Sequence, residues 1–444
     1  MDDMTNTIRA AVMMFVLLLG SSNTYAGRND SASTVKIGKV TVEPRDGKTR
    51  IIRFDLSWEN SWRHEVNHDA IWVFFKVRAE GGAEWQHVRL AADKGLNPTG
   101  YGQAKGGTLL EYIVPRGKEG FLGMFVRVAE FGTGSVKATG ITAVWDFSAN
   151  QGIKKDTKVE IIPVGIEMTY IPEGAFDLGG GTTEKARLYK YTDGKQSGLP
   201  YRITSEDAIP TGKKNGSLWA KDLQPADGGK ITAAFPKGFA AVYCMKKVAV
   251  NWQYAAFLST LTPEQYERHQ PNKLGKNKRL IVRSGKAPDF TYTYKDGTRN
   301  RWCTGLNWED EITFIAWAGL RPMTELEFEK IGHGPMQYGW NSGDKLDHPA
   351  YWGIDDWNGW RKPRGHIVTV ANEKGRSFKG THGNGTTFIP ADWPQADAVG
   401  AGARGQSGPD GRWSSRPLAT TMNLDSGIRA VRTAPKAAAP STKH

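Results

Sequence analysis

The chain has 444 residues and 39% hydrophobic content, too long for one ordinary domain and apolar enough to bury a sizeable core. Its 52 Gly and 22 Pro argue against a helical bundle and for a loop-rich fold, with 16 Trp available as aromatic anchors. A net charge of +13 would suit acidic polysaccharide, an anionic membrane surface or nucleic acid. The Lys and Arg residues are dispersed, however, with one dense cluster at Lys273–Arg283, so a solvated basic surface without a nucleic-acid partner is expected.

At the N-terminus an apolar run, Ala10–Leu19, precedes Thr24-Tyr25-Ala26. This reads as a signal peptide, residues 1–26, cleaved before Gly27, and the run is too short to span a bilayer. A secreted, periplasmic or cell-surface protein without a membrane span is expected. Residues 27–148 read as an antiparallel β-sandwich, with strands near 35–42, 51–58, 70–77, 85–90, 109–114, 121–129 and 140–147. The polar stretch 149–160 reads as a linker.

A second, loop-rich domain is expected over 161–433, giving an α+β class for the whole chain. Asn251 is placed as the cap of a helix running to Leu258. Thr262-Pro263-Glu264-Gln265 forms a capping box with Pro at the first helical position. Asn307 caps a helix whose apolar positions are Trp308, Ile312, Ile315 and Ala316; Gly319 ends it and Pro322 forbids continuation. Thr324 caps the next helix, with Glu327 completing a capping box. The tail, 434–444, has the composition of a disordered segment.

Several motifs look chemical. His64-Glu65-Val66-Asn67-His68 matches the zincin pattern H-E-x-x-H but lies between two β segments, with little room for the required helix, so a polar inter-strand loop is expected. Asp177-Leu178-Gly179-Gly180-Gly181-Thr182 resembles a phosphate loop but lacks partner loops, and reads as a Gly-rich turn. Cys244 and Cys303 are the two cysteines; in an oxidising compartment such a pair favours a disulfide over a metal site, which needs more ligands. Trp340, Tyr351, Trp352, Trp357 and Trp360 form a dense aromatic series that either lines a groove or holds loops together.

Residues 161–433 resemble the formylglycine-generating enzyme, or sulfatase-modifying factor, domain. The resemblance rests on IPEGAFDLGG (171–180), VYCMKKVAVNWQYAAFL (242–258), NWEDEITFIAWAGLRPMTELEFEK (307–330), VGAGARGQ (399–406) and SGIRAVR (426–432). It implies a fold related to C-type lectins, with a small twisted sheet, few helices and long loops. It also resembles a secreted bacterial branch that adds a β-sandwich carrying a segment like FDLSWENSWR (54–63), whose shared cysteines imply that Cys244 and Cys303 belong to the scaffold.

The family oxidises a substrate cysteine with two copper-binding cysteines in its C-terminal third, where this chain has none. Arg361 stands where the resemblance implies a calcium-binding carboxylate. A non-catalytic secreted protein is therefore expected, binding a protein, peptide or glycan or acting in surface assembly, with no cofactor or metal. The alternative is a metal-dependent oxidase using unfamiliar residues. The candidate ligand-binding groove lies between the aromatic loops and the C-terminal strands, with Trp340, Trp352, Trp360, Arg404, Trp413 and Arg416 as contacts.

Overall fold

Alternating side chains build the first strands. These are β1 (Lys36–Pro44), β2 (Thr49–Arg63), β3 (Asp69–Ala79), β4 (Gln86–His87), β5 (Gly106–Gly107), β6 (Leu110–Ile113), β7 (Met124–Val128), β8 (Gly132–Asp146) and β9 (Val159–Ile171). In β2 every second residue from Arg50 to Trp58 is buried, as a strand with one covered face requires. In β3 every residue from Asp69 to Val77 is buried, which matches its unbroken apolar run and means that both faces are covered. The structure is a computed structural model that describes residues 33–91, 102–117, 120–179, 188–192, 199–220, 229–269, 280–285, 291–335, 350–355, 357, 365–371, 373–404, 414–415 and 423–435. The expected leader and the tail beyond 435 lie outside these residues. Among the described residues no helix is long and apolar enough to cross a membrane.

The architecture is a β-rich α+β fold with antiparallel sheets and few helices. One sheet has the order β1-β2-β8-β5. The largest sheet runs Arg321–Pro322, Ala430–Thr433, Val242–Met245, β9, β3, β7, β6, with β4 beside β3. On one face of β3, Ile71, Val73 and Phe75 join Phe54, Leu56 and Trp58 of β2 and Ile141 and Trp145 of β8 in one apolar cluster. On the other face, Ala70, Trp72 and Phe74 join the helices α1 (Asn251–Leu258) and α3 (Trp308–Trp317) through Tyr254, Phe257, Phe314 and Trp317.

The expected boundary at 149–160 is not a break in the fold. β9 pairs with β3 from Asp69↔Thr169 to Ala79↔Val159, and its other edge carries Val242–Met245. One sheet thus draws strands from both expected domains, and the described residues form one compact unit. The polar segment is a turn that carries the chain from β8 in the smaller sheet to β9 beside β3 in the larger one. Asn150 ties the turn down, accepting from Trp145 Nε1 at 2.7 Å and donating to the His87 carbonyl at 2.9 Å.

The local helix signals match the structure. Asn307 Oδ1 accepts from Asp310 N, and Asp310 returns the bond to Asn307 N. Thr324 and Glu327 do the same for α4 (Glu325–His333), and Thr262 and Gln265 for α2 (Pro263–Arg268). The expected cap at Asn251 shifts by one residue. Val250 precedes α1, the Gln253 side chain accepts from its N–H, and Asn251 instead donates to the Thr298 carbonyl. The expected strand at 85–90 shortens to Gln86–His87.

Candidate functional site

The expected aromatic groove is described only in part. Trp340, Trp360, Trp413 and Arg416 lie outside the described residues, and of Arg404 only the backbone is described, at the end of strand Ala401–Arg404. Trp352 is 8% exposed, belongs to a core cluster with Cys244, Met323 and Ile331, and donates its indole N–H to the Lys330 carbonyl. Trp357 stacks on Phe328 with ring centroids 4.4 Å apart. Both rings anchor loops to the core, so Trp352 is corrected from a ligand contact to a packing residue.

The expected disulfide is also corrected: Cys244 and Cys303 are two buried free thiols. Strand alternation explains the separation. Val242 and Cys244 point into the cluster of Trp352 and Trp357, whereas Tyr243 and Met245 face the cluster that holds Cys303. Burial pushes the Cys244 thiol up to about 12 and the Cys303 thiol well above its ordinary value. Neither environment favours a thiolate.

The H-E-x-x-H segment is a tight turn between β2 and β3, closed by His64 N donating to the Asn67 carbonyl at 2.8 Å. His68 is buried, stacked on Tyr170 at 4.8 Å and within 3.1 Å of the Tyr243 hydroxyl. Burial, then Arg127 and Arg63, lower its pKa to about 3, so the ring is neutral at physiological pH. The turn at this segment excludes the helical zincin arrangement. Among the described residues no group of three or more His, Cys, Asp or Glu is arranged to hold a metal ion.

Next to this turn, two of the resemblance-bearing segments meet. The register of β2 shifts between Trp58 and Ser61, and Asn60 takes a positive φ of 55°. The bulge aims Trp58 Nε1, Ser61 Oγ and Trp62 N at Asp69, while Lys246 Nζ lies 3.7 Å from the same carboxylate. Burial raises the Asp69 pKa and Lys246 opposes this. The cluster is enclosed and holds the FDLSWENSWR strand against the Met245-Lys246 turn.

A cavity of about 260 Å3 lies against the C-terminal end of α3. Strand β3, the 83–87 segment, the turn before α2 and loop 385–387 all contribute to its wall. Lys76, 1% exposed, lies at its base and donates to the carbonyls of Trp317 at 2.7 Å and Gly385 at 2.5 Å, with His87 Nδ1 at 2.9 Å. His87 Nε2 lies 2.5 Å from the Leu122 carbonyl, which can only accept, so Nε2 carries the proton and Nδ1 accepts from Lys76. All three ammonium protons are thereby used.

Burial pushes the Lys76 pKa well below the ordinary lysine range. The helix C-terminus opposes that cost, since its unpaired carbonyls and dipole favour a cation. The Trp317 ring adds a cation–π contact at 4.5 Å. Two glycines let loop 383–385 reach this point. A Cβ on Gly383 would meet the Ala316 backbone at 2.3 Å, and one on Gly385, whose φ is +84°, would meet the His87 ring at 2.3 Å.

The wall of the cavity offers recognition groups. Trp317 donates to Thr260 Oγ1 at 2.8 Å, and Gln265 Nε2 donates to Thr387 Oγ1 at 3.2 Å. Trp85 is half-buried beneath the Arg78 guanidinium at 4.8 Å, and Glu84 brings an exposed carboxylate. The sequence did not single out these residues, because Lys76, Trp85, Gln265 and Thr387 share no motif and meet only in the tertiary fold. The one legible signal was a lysine inside the otherwise apolar run AIWVFFKV, which a buried strand carries only with its charge accommodated. No family model, no curated protein and no solved structure matches this chain.

Proposed function

We propose that this is a secreted, non-catalytic ligand-binding protein whose C-terminal part is a degenerate relative of the formylglycine-generating enzyme domain. The observation that carries the non-catalytic, ligand-binding reading is the division of labour at the cavity. The groups with catalytic potential, Lys76 and His87, are spent on hydrogen bonds within the protein, while threonines, Gln265, Glu84 and Trp85 line the space. Such a set recognises a ligand and has no poised nucleophile or base.

The family reading is supported by the way the resembling segments converge. Val242–Met245, Arg321–Pro322 and Ala430–Thr433 are adjacent strands, and α1 and α3 pack on the same core. The family's copper-thiolate chemistry needs paired accessible thiolates, which the separate, buried Cys244 and Cys303 do not supply, so the alternative is an oxidase that uses other residues to hold its metal. The fold alone assigns no activity.

The test combines three measurements on purified full-length protein. Metal analysis is expected to give no stoichiometric copper or iron, oxygen uptake with a cysteine peptide is expected to stay at background, and screening against glycans and peptides is expected to give a saturable hit. Stoichiometric metal with turnover overturns the reading.

A further inference from the structure

We propose that the cavity between Trp85, Trp317 and Thr387 takes one neutral pyranose ring, such as the exposed end of a glycan. The proposal deepens the ligand-binding reading and rests on it. Three observations carry it: size, chemistry and charge.

The cavity, about 260 Å3, is just below the usual range of small-molecule sites, so it suits a single ring rather than an oligomer or a peptide side of any length. Its surroundings alternate aromatic and hydroxyl groups. The half-buried Trp85 is the indole open to a ligand, its ring lying beneath Arg78, whereas Trp317 is 2% exposed with Lys76 over its ring and serves as wall. Of the wall's hydroxyls, Thr260 donates to the Phe257 carbonyl and Thr386 to Asn384, which leaves those of Thr262 and Thr387 for a ligand. An indole face packs against the C–H face of a sugar ring, while hydroxyl and amide groups exchange hydrogen bonds with its edge.

The bonding capacity is arranged for a polyol. Thr387 Oγ1 accepts from Gln265 and keeps its own proton as a donor. Gln265 Nε2 has a second proton, and Glu84 is an acceptor for ligand hydroxyls. Lys76 contributes no direct contact, because its three protons are spent on Trp317, Gly385 and His87. A ligand carboxylate would therefore find no free ammonium and would face the Glu84 carboxylate. A neutral ring fits better than a uronate.

The test uses the purified full-length protein with glucose, galactose, mannose, N-acetylglucosamine and glucuronate, read by saturation-transfer NMR and tryptophan fluorescence. A neutral sugar is expected to bind saturably and more tightly than glucuronate. Trp85→Ala is expected to weaken it roughly tenfold, as loss of one stacking ring would. Glu84→Gln and Thr387→Val should weaken it less, with thermal melts of all three variants close to that of the parent. Tighter binding of glucuronate, or sugar binding unaffected by Trp85→Ala and Thr387→Val, overturns the proposal. A saturable hit from the wider glycan and peptide screen that these variants leave intact defeats this cavity alone and spares the ligand-binding reading. A blank sugar panel defeats the pyranose assignment, and a blank wider screen defeats both.

Discussion

The two ends of α3 are held by different means. Its N-terminus is closed within four residues, by the reciprocal bonds of Asn307 and Asp310. Its C-terminus is closed from across the molecule. The carbonyls of Trp317, Ala318 and Gly319 accept from Lys76, Trp72 and Arg432 respectively. Arg432 also lies over the Trp72 ring at 4.8 Å. A helix end needs its orphan groups paired, but the pairing can be local or distant. Here the distant cap joins a strand near residue 75, a helix near 315 and the last strand, and one of its donors, Lys76, lines the cavity. The difference teaches that the structural unit crosses the boundary that composition suggests.

Breaking the distant cap should therefore do most damage. Trp72→Ala removes a fully buried indole and the donor to Ala318, and is expected to cost about 3–5 kcal/mol in urea unfolding. Trp72→Phe keeps a buried ring but loses the donor to Ala318, and if α3 were held mainly by its local cap this variant would be about as stable as the parent.

The polar core beside β3 gives the next effect. The His68 pKa is lowered to about 3 from 6.5, so between these values the unfolded chain binds a proton that the native state refuses. Its contribution is intact above pH 6.5 and falls as pH drops, by roughly 3 kcal/mol between pH 7 and pH 4. Urea midpoints measured across that range should flatten by this amount in His68→Phe. An unchanged acid limb would show that His68 is not the titrating group.

Lys76→Met tests the cavity base. It removes a costly buried charge but strips a donor from two carbonyls, with an expected net loss of about 2 kcal/mol at pH 7. Because burial lowers the lysine pKa, the unfolded chain holds more protons than the native one from that lowered value up to about 10.5. Parent stability should therefore rise with pH in that window, and the variant should lose the rise.

Asn307→Ala removes the local cap and should cost about 1 kcal/mol, less than either distant partner. Smallest of all, Cys244→Ala and Cys303→Ala should respond alike to reducing agent, since no bond joins the two thiols. Titration of the unfolded, unreduced protein is expected to find both thiols, and finding neither would restore the disulfide.

Much of the local architecture was legible. The capping boxes at Thr262, Asn307 and Thr324, and the strand runs of β2 and β3, are short-range patterns whose physics is complete within a few residues. The candidate site was not legible. The tryptophans that sequence density singled out and that are described, Trp352 and Trp357, pack inward, and the cysteine pair that suggested a staple is split by strand alternation. Residues 149–160 read as a linker because turns and linkers share a composition; pairing of β9 with β3 separates the two cases.

The sequence by itself determined where helices begin, which segments are strands, and that the chain lacks cysteines after Cys303. Tertiary structure decided that strands from both expected domains share one sheet, that Lys76 and Trp72 cap a helix some 240 residues away, and that a cavity opens beside them. The reason lies in range. Capping and alternation depend on neighbours along the chain, whereas a buried cation and a cavity wall depend on which distant carbonyls and rings the packing of the sheet brings within bonding reach.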